Sequence, residues 1–444
     1  MKLLWLAVTI LLFSSNSHAD EVSGAISLDK QMQQDQTSNS TIEPSIAEIE
    51  HLYAAKKFAE LKPLLVRLHA QTPTHLAVYF LSGMLAAQEG DYPKAIDEFR
   101  AMLTRDPSLI RPRLELASAL QKNGDRQSAK YHYEQVLSAN LPNEVRSNIY
   151  QRLSDIRERL PSVQFSLDIV SDSNPKQATN NRVIMIGGLP YTLNDSSKAK
   201  TVYGTAMSAD VHWPLASDPT WFAHAYGEIN EYPRKDLDSM YGQATLGKRF
   251  DWGQNNISTE IGGHVSSYQN HKQYDGWQVR GTGFIRASPK LGVTSDLSYK
   301  TYNYDNLPYL NGDMKSINLT GIYVPQATQR LEIGAGFSHY SAQEQAYSYN
   351  QPLVSARFMQ EWQGGWLTGM RLQALMVDYA APDPFFGEKR RDAEKRVEFD
   401  VLNRKLKFWS FSPKLLLGYV ERNSNLELYS YKRMYARIGV SMQF

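Results

Sequence analysis

Cysteine is missing altogether from the 444 residues. That excludes a disulfide framework, a thiolate-ligated zinc or iron–sulfur centre, a cysteine nucleophile and a lipid anchor on a mature N-terminal cysteine. An excess of one charge is missing too. Lys+Arg number 48 and Asp+Glu 46, a formal +2, so nothing in the balance argues for nucleic acid as a partner. Long hydrophobic runs are also absent: Leu3–Phe13 is eleven residues, whereas a helix crossing a bilayer needs ~20. The ten histidines are scattered, with no His-x-His or His-Glu-x-x-His spacing, and neither a Gly-x-Ser-x-Gly elbow nor a phosphate loop occurs. No catalytic residue, no cofactor-binding residue and no metal ligand is therefore assigned, and the chain is not expected to be an enzyme.

What is present changes sharply along the chain. A basic start at Met1-Lys2, the short apolar run and small residues at Ser17 and Ala19 predict a secretory signal peptide over 1–19, cut after Ala19. Residues 20–44 are Gln/Ser/Asp-rich and free of aromatics, so they are expected to form a flexible linker. Beyond residue 160 lie 23 of the 27 glycines, seven of the eight tryptophans and 20 of the 26 tyrosines. That shift divides a helical domain, 45–160, from a strand-rich one, 161–444.

The helical zone repeats. Gly83, Gly90-Asp91, Ala95, Phe99, Leu103 and Pro107 return 34 residues on as Ala117, Gly124-Asp125, Ala129, Tyr133 and Leu137, with Pro142 one place late. This period of small, aromatic and helix-ending residues resembles the tetratricopeptide repeat. Small residues let two helices approach closely, glycine turns the chain between them, and proline stops the second. Glu144 to Leu160 is expected to be a terminal helix that caps the stack. Such a stack has a concave face made by the first helix of each pair. Phe80, Met84, Arg111, Leu114, Gln121 and Lys122 are the candidate residues of a groove there for a peptide or protein partner, although each apolar one also suits the core between repeats.

The second half alternates with period two. Met434, Ala436, Ile438, Val440, Met442 and Phe444 share one face of the last segment; Tyr435, Arg437, Gly439, Ser441 and Gln443 share the other. Similar patterns predict strands near 163–173, 200–213, 219–233, 236–250, 255–269, 273–288, 290–304, 311–325, 328–341, 348–362, 365–379, 393–407, 410–422 and 428–444. That is fourteen, an even number as single-chain bacterial barrels require. One face is apolar and the other Gly, Ser, Gln, Arg and Tyr. This is inverted relative to a soluble barrel and fits closure in lipid, where every backbone polar group needs a partner. The fold class is therefore a multi-domain α + β chain: a tetratricopeptide α-solenoid followed by a transmembrane antiparallel β-barrel of about 14 strands.

Short connections are expected on the periplasmic side, and longer ones (174–199, 304–311, 342–349, 380–392) outside. The charge run Glu388 to Arg396 is expected to be a solvated loop rim. The terminal Phe444 resembles the C-terminal aromatic that outer-membrane barrels present to their assembly machinery, and is the candidate barrel-assembly signal.

A signal peptide, a tetratricopeptide domain and a barrel of this size resemble the surface lipoprotein assembly modifiers (the Slam family). Two segments carry the likeness most closely: Asn403 to Leu415 (NRKLKFWSFSPKL) and Leu428 to Arg433 (LYSYKR). The resemblance implies an outer-membrane translocator that moves particular lipoproteins or soluble proteins, often haem- or metal-acquisition proteins, from periplasm to cell surface. The barrel would be the conduit and the helical domain would face the periplasm. Implied partners are the client protein, outer-membrane lipid and the barrel-assembly machinery; the chain is expected to be a monomer. An exopolysaccharide exporter and a porin-like channel with a repeat scaffold are the competing expectations. Three repeats are few for the former.

Overall fold

The computed structural model describes residues 48, 51–52, 55, 57–71, 75–158, 161–186, 189–194, 199–215, 218–403, 406 and 411–443. The expected signal peptide 1–19, the linker 20–44, Phe444 and most of 404–410 lie outside the described residues.

Among the described residues, six helices precede the barrel: α1 (Phe58–Gln71), α2 (Leu76–Gln88), α3 (Tyr92–Arg105), α4 (Ile110–Lys122), α5 (Arg126–Val136) and α6 (Asn143–Glu158). The repeated Gly-Asp pair makes each hairpin. Gly90 and Gly124 take φ of 82° and 90°, left-handed values that glycine adopts without a Cβ penalty. The aspartate that follows then caps the next helix: Asp91 Oδ1 accepts from the Lys94 amide at 3.2 Å and Asp125 Oδ1 from the Ser128 amide at 3.1 Å. Ala95, Ala117 and Ala129 are fully buried between helices, as are the 34-spaced rings of Phe99 and Tyr133. Gly83 permits a close approach. A Cβ built there would lie 2.7 Å from Phe99 Cε1. Upstream, Leu61, Leu65 and Leu68 of α1 pack against Val78, Leu81 and Leu85 of α2.

The chain then enters β1 (Ser162–Asp172), makes a small hairpin of β2 (Val183–Ile186) and β3 (Leu189–Thr192), and continues through β4 (Val202–Pro214), β5 (Trp221–Glu231), β6 (Ser239–Trp252), β7 (Asn255–Tyr268), β8 (His271–Arg286), β9 (Leu291–Tyr304), β10 (Gly312–Tyr323), β11 (Gln329–Ala342), β12 (Tyr349–Glu361), β13 (Trp366–Pro382), β14 (Lys389–Asn403), β15 (Ser412–Ser424) and β16 (Tyr431–Gln443). β1 and β4–β16 form one closed antiparallel barrel of fourteen strands, each paired with its sequence neighbour. Closure runs from Gln164↔Gln443 to Asp172↔Tyr435 between β1 and β16.

The pleat sorts the side chains as the alternation predicts. Met434 and Ile438 on β16 are 64% and 61% exposed, and Ile333, Phe337, Met370, Leu372 and Met376 point outward with them. An apolar surface on this scale has no place in water. In hydrocarbon it is the lipid-facing wall, and closure satisfies the backbone. Trp213, Trp221, Trp252, Trp362 and Trp366 stand outward at the strand ends nearest the helices, as an interfacial girdle does. That end is called the near mouth below and the opposite one the far mouth.

The long 174–199 connection carries the β2–β3 hairpin. One expectation needs correction. The charge run is not a loop rim. β14 begins at Lys389, four residues before the expected start, and turns Arg390, Asp392, Glu394 and Arg396 into the lumen, where Asp392 and Glu394 are 4% and 3% exposed. Hydrophobic periodicity cannot see such a strand, because the wet inner face accepts charge and the outward Lys389, Arg391 and Lys395 lie toward the far mouth.

Candidate functional site

The lumen is lined by the inward half of every strand and is braced by ion pairs between strands. Arg280 meets Asp296 at 2.6 Å, Arg422 meets Glu394 at 2.7 Å and Lys414 meets Asp168 at 3.0 Å. Arg433 holds Asp172 in a fork of two nitrogens across the β16–β1 seam. Charges inside the barrel are thus paired along one strand, as Arg390–Asp392, with the adjacent strand, as Arg280–Asp296, or across an intervening one, as Lys414–Asp168 and Arg357–Asp400.

Toward the far mouth the wall becomes aromatic. Tyr274, Tyr302, Tyr340, Tyr349 and Tyr379 form a chain of rings on β8, β9, β11, β12 and β13, with successive centroids 5.2–5.7 Å apart. Arg390 then stacks between Tyr379 and Tyr429, 4.7 and 3.5 Å from their centroids. A cavity of about 220 Å³ lies among these rings.

At the near mouth the helices grip the barrel. Arg113 of α4 is 0% exposed and donates through Nη1 to Glu361 Oε2, 2.8 Å away, at the end of β12. It also donates to the Pro107 carbonyl and lies 3.3 Å from His132 Nδ1. Glu134 of α5 reaches Arg330 at 3.3 Å and Arg286 at 3.8 Å, at the start of β11 and the end of β8. Glu361, Arg286 and Arg330 all stand on the lumen side of their strands, so the helical domain engages the inner rim over the β8–β12 arc.

The groove candidates are spread over this domain. Phe80 is 7% exposed and packs on Phe99, with centroids 6.1 Å apart. Met84 and Leu114 are half-buried. Arg111 pairs with Glu115 at 2.7 Å. Gln121 accepts a hydrogen bond from Tyr133 Oη at 3.0 Å, and burial pushes that phenol's pKa above its ordinary value. Lys122 lies over the Tyr92 ring at 5.6 Å. Arg111, Leu114, Gln121 and Lys122 are thus gathered on α4, and Phe80 and Met84 on α2; the same sites serve contacts within the stack. Among the described residues no group of three or more His, Asp or Glu is arranged to hold a metal ion.

Sequence reasoning missed the docking residues. One signal was available. Leu109, Pro112, Arg113, Leu116, Ala117 and Leu120 follow helical spacing and are all buried, so Arg113 is a cation on an apolar stripe. Such a residue needs an acceptor from another element. Glu361 carries no comparable mark, being one of many polar residues on an inward strand face.

Comparison with known proteins gives a consistent result. Residues 162–444 match the family model described as "Surface lipoprotein assembly modifier", and residues 52–133 match "Surface lipoprotein assembly modifier, N-terminal TPR repeats". Surface lipoprotein assembly modifier 2 of Haemophilus influenzae is 23% identical over 402 residues, covering 85% of this chain and 80% of that protein. The surface lipoprotein assembly modifier of Pasteurella multocida is 22% identical over 394 residues, covering 82% and 75%. That of Haemophilus influenzae strain 86-028NP is 24% identical over 402 residues, covering 85% and 79%.

Proposed function

Because the chain belongs to the surface lipoprotein assembly modifier family, we propose that it is an outer-membrane translocator that delivers specific lipoproteins or soluble proteins, haem- or metal-acquisition proteins among them, from the periplasm to the cell surface. The observation that carries this is the junction: a helical repeat domain ion-paired to lumen-facing residues at one mouth of a closed, wet barrel. A porin has no need of a protein-binding stack on its inner rim. A repeat domain placed there can hold a partner at the entrance of the conduit.

In this scheme the near mouth faces the periplasm, since the helical domain precedes the barrel and remains on the side from which the barrel inserts. Residues 1–19 direct export and are removed, and Phe444 is the cue read by the assembly machinery. The client is held by the concave face that Phe80, Met84, Arg111, Leu114, Gln121 and Lys122 help to form. It passes as an extended segment, because paired side chains and the tyrosine arc narrow a barrel of this strand number.

The test is deletion of the chain in its host, followed by labelling of surface-exposed proteins. Loss of one or a few lipoproteins from the surface, with their retention in the periplasm, is expected. A surface complement unchanged by the deletion would refute the assignment.

A further inference from the structure

Where α5 meets the near mouth, a cavity of about 220 Å³ opens between the helix and the lumen wall. Four cations line it: Lys130 from α5, Arg286 at the end of β8, Lys290 in the turn that follows, and Arg330 at the start of β11. The one carboxylate among the lining residues is Glu134. Glu134 is shared unevenly. It is 3.3 Å from Arg330, which also has Glu332 at 2.7 Å, but 3.8 Å from Arg286. The Arg286 side chain is only 8% exposed, and its Nε has no hydrogen-bond partner. Lys290 Nζ is turned to the neutral Pro325 carbonyl at 3.1 Å. A guanidinium this deeply buried and short of acceptors makes a strong anion site, since the surrounding dielectric is low and the hydrogen bond goes unmade in the anion's absence.

We propose that this cavity receives a carboxylate-bearing, acidic segment of the client polypeptide, which enters by exchanging with Glu134 on Arg286 and Arg330. The proposal rests on the translocator assignment above and names the chemistry of its entrance. Guanidinium forks match carboxylates in geometry, and the space admits one or two side chains and no folded unit. Because Glu134 belongs to the helical domain and the arginines to the barrel, the exchange also replaces one of the bridges that close the junction. Client binding and release of α5 from the rim are thereby coupled.

The experiment uses the purified full-length protein in detergent and a fluorescein-labelled deca-glutamate peptide, with binding read by anisotropy. Binding that weakens with added salt is expected. Arg286→Gln with Lys290→Gln should lower affinity by about tenfold or more, the loss of roughly one charge-assisted contact. Glu134→Gln should raise affinity several-fold by removing the internal competitor, a gain that misfolding cannot produce. Equal or weaker binding in Glu134→Gln overturns the proposal. So does a Gly/Ser decapeptide that binds as well, or inorganic phosphate that displaces the peptide at equal concentration, which would mark a small-anion site. Surface display in the deletion strain is read separately. Display that depends on the chain while peptide affinity ignores Glu134→Gln keeps the translocator and removes this site. Peptide binding as expected with display unaffected by deletion overturns both the translocator and the client as occupant.

Discussion

Glu361→Gln is the sharpest perturbation of the junction. The amide keeps the shape of the side chain and removes its charge. Arg113, 0% exposed, is left with the Pro107 carbonyl and His132 as its other partners. Removing one member of a buried ion pair costs about 3–5 kcal/mol, chiefly because the remaining charge stays buried without compensation. The glutamine oxygen still accepts a hydrogen bond, which places the loss near the lower limit. At 1.4 kcal/mol per decade, about 3 kcal/mol is a shift of roughly a hundredfold. Unfolding the barrel would not relieve the cation. Lifting α4 from the rim does, because Arg113 then meets water. The shift should therefore appear in the docking equilibrium.

The absence of cysteine makes the assay clean. Ser108 and Gln363 are exposed on either side of the junction and can be replaced by spin-labelled cysteines. A single narrow distance distribution is expected with Glu361 in place, and a broad one in Glu361→Gln. Arg113→Met with Glu361→Leu should restore the narrow distribution, because apolar replacements of both partners leave no stranded charge. A distribution unchanged in Glu361→Gln, or a double variant as loose as the single one, would refute the claim that this pair holds the domain down.

Three further outcomes follow from the same geometry. Gly83→Val should lower helical stability by about 1–3 kcal/mol through collision with Phe99, read as an earlier thermal loss of helical circular dichroism and partly recovered by Phe99→Leu. Phe337→Arg on the outward face should cost about 2–4 kcal/mol in denaturant unfolding from lipid vesicles, whereas Ser338→Arg on the lumen face should stay within about 1 kcal/mol. At the far mouth, Arg234 and Lys176 hold the pKa of Asp236 down to about 2. A depressed carboxylate pKa gives a contact that is present above the unfolded value near ~3.9 and lost as pH falls through the folded one. A label on the loop that bears Lys176 should therefore stay ordered at pH 5 and loosen as pH falls from about 4 to about 2, and Asp236→Asn should abolish that transition.

Lipid made the barrel legible. Outward positions must be apolar over the whole membrane thickness, so Met434, Ile438, Ile333 and Phe337 announce their strands and their facing. Fourteen strands could be counted from that constraint together with the turn-formers between them, with the start of β14 misplaced by four residues. The repeat was equally open, since Gly83, Ala95 and Phe99 must recur wherever helix pairs stack at the same spacing. The lumen was hidden for the complementary reason. An inward position tolerates Gly, Ser, Tyr or any paired charge, so no pattern separates Glu361 or Arg330 from their neighbours. β14 shows the limit most clearly: its first residues carry charge on both faces, and the alternation that marks other strands is erased. The Gly-Asp turns lie between these extremes. Glycine at 90 and 124 predicted the reversal, while the capping role of Asp91 and Asp125 required the hydrogen bonds themselves.

In the proposed transport the two mouths would ask different things of a client chain. At the near mouth Arg286 is buried with an unmet nitrogen, so a bound carboxylate would be held by a few strong contacts. Along the middle of the lumen, Arg280–Asp296 and Lys414–Asp168 already satisfy one another and offer a segment little to compete for. At the far mouth the wall is a run of tyrosine rings, whose faces make contacts that are modest and tolerant of sequence. In the proposed direction of transport, strong selection at the near mouth followed by weak, repeated contact at the far one is the order that would favour passage. A site that bound tightly at the far mouth would trap each segment on the point of release, whereas one that bound weakly at the near mouth would admit any unfolded chain. On the proposed function the junction with the helices would stand at the selective end, where a choice between partners could be made before the lumen is entered.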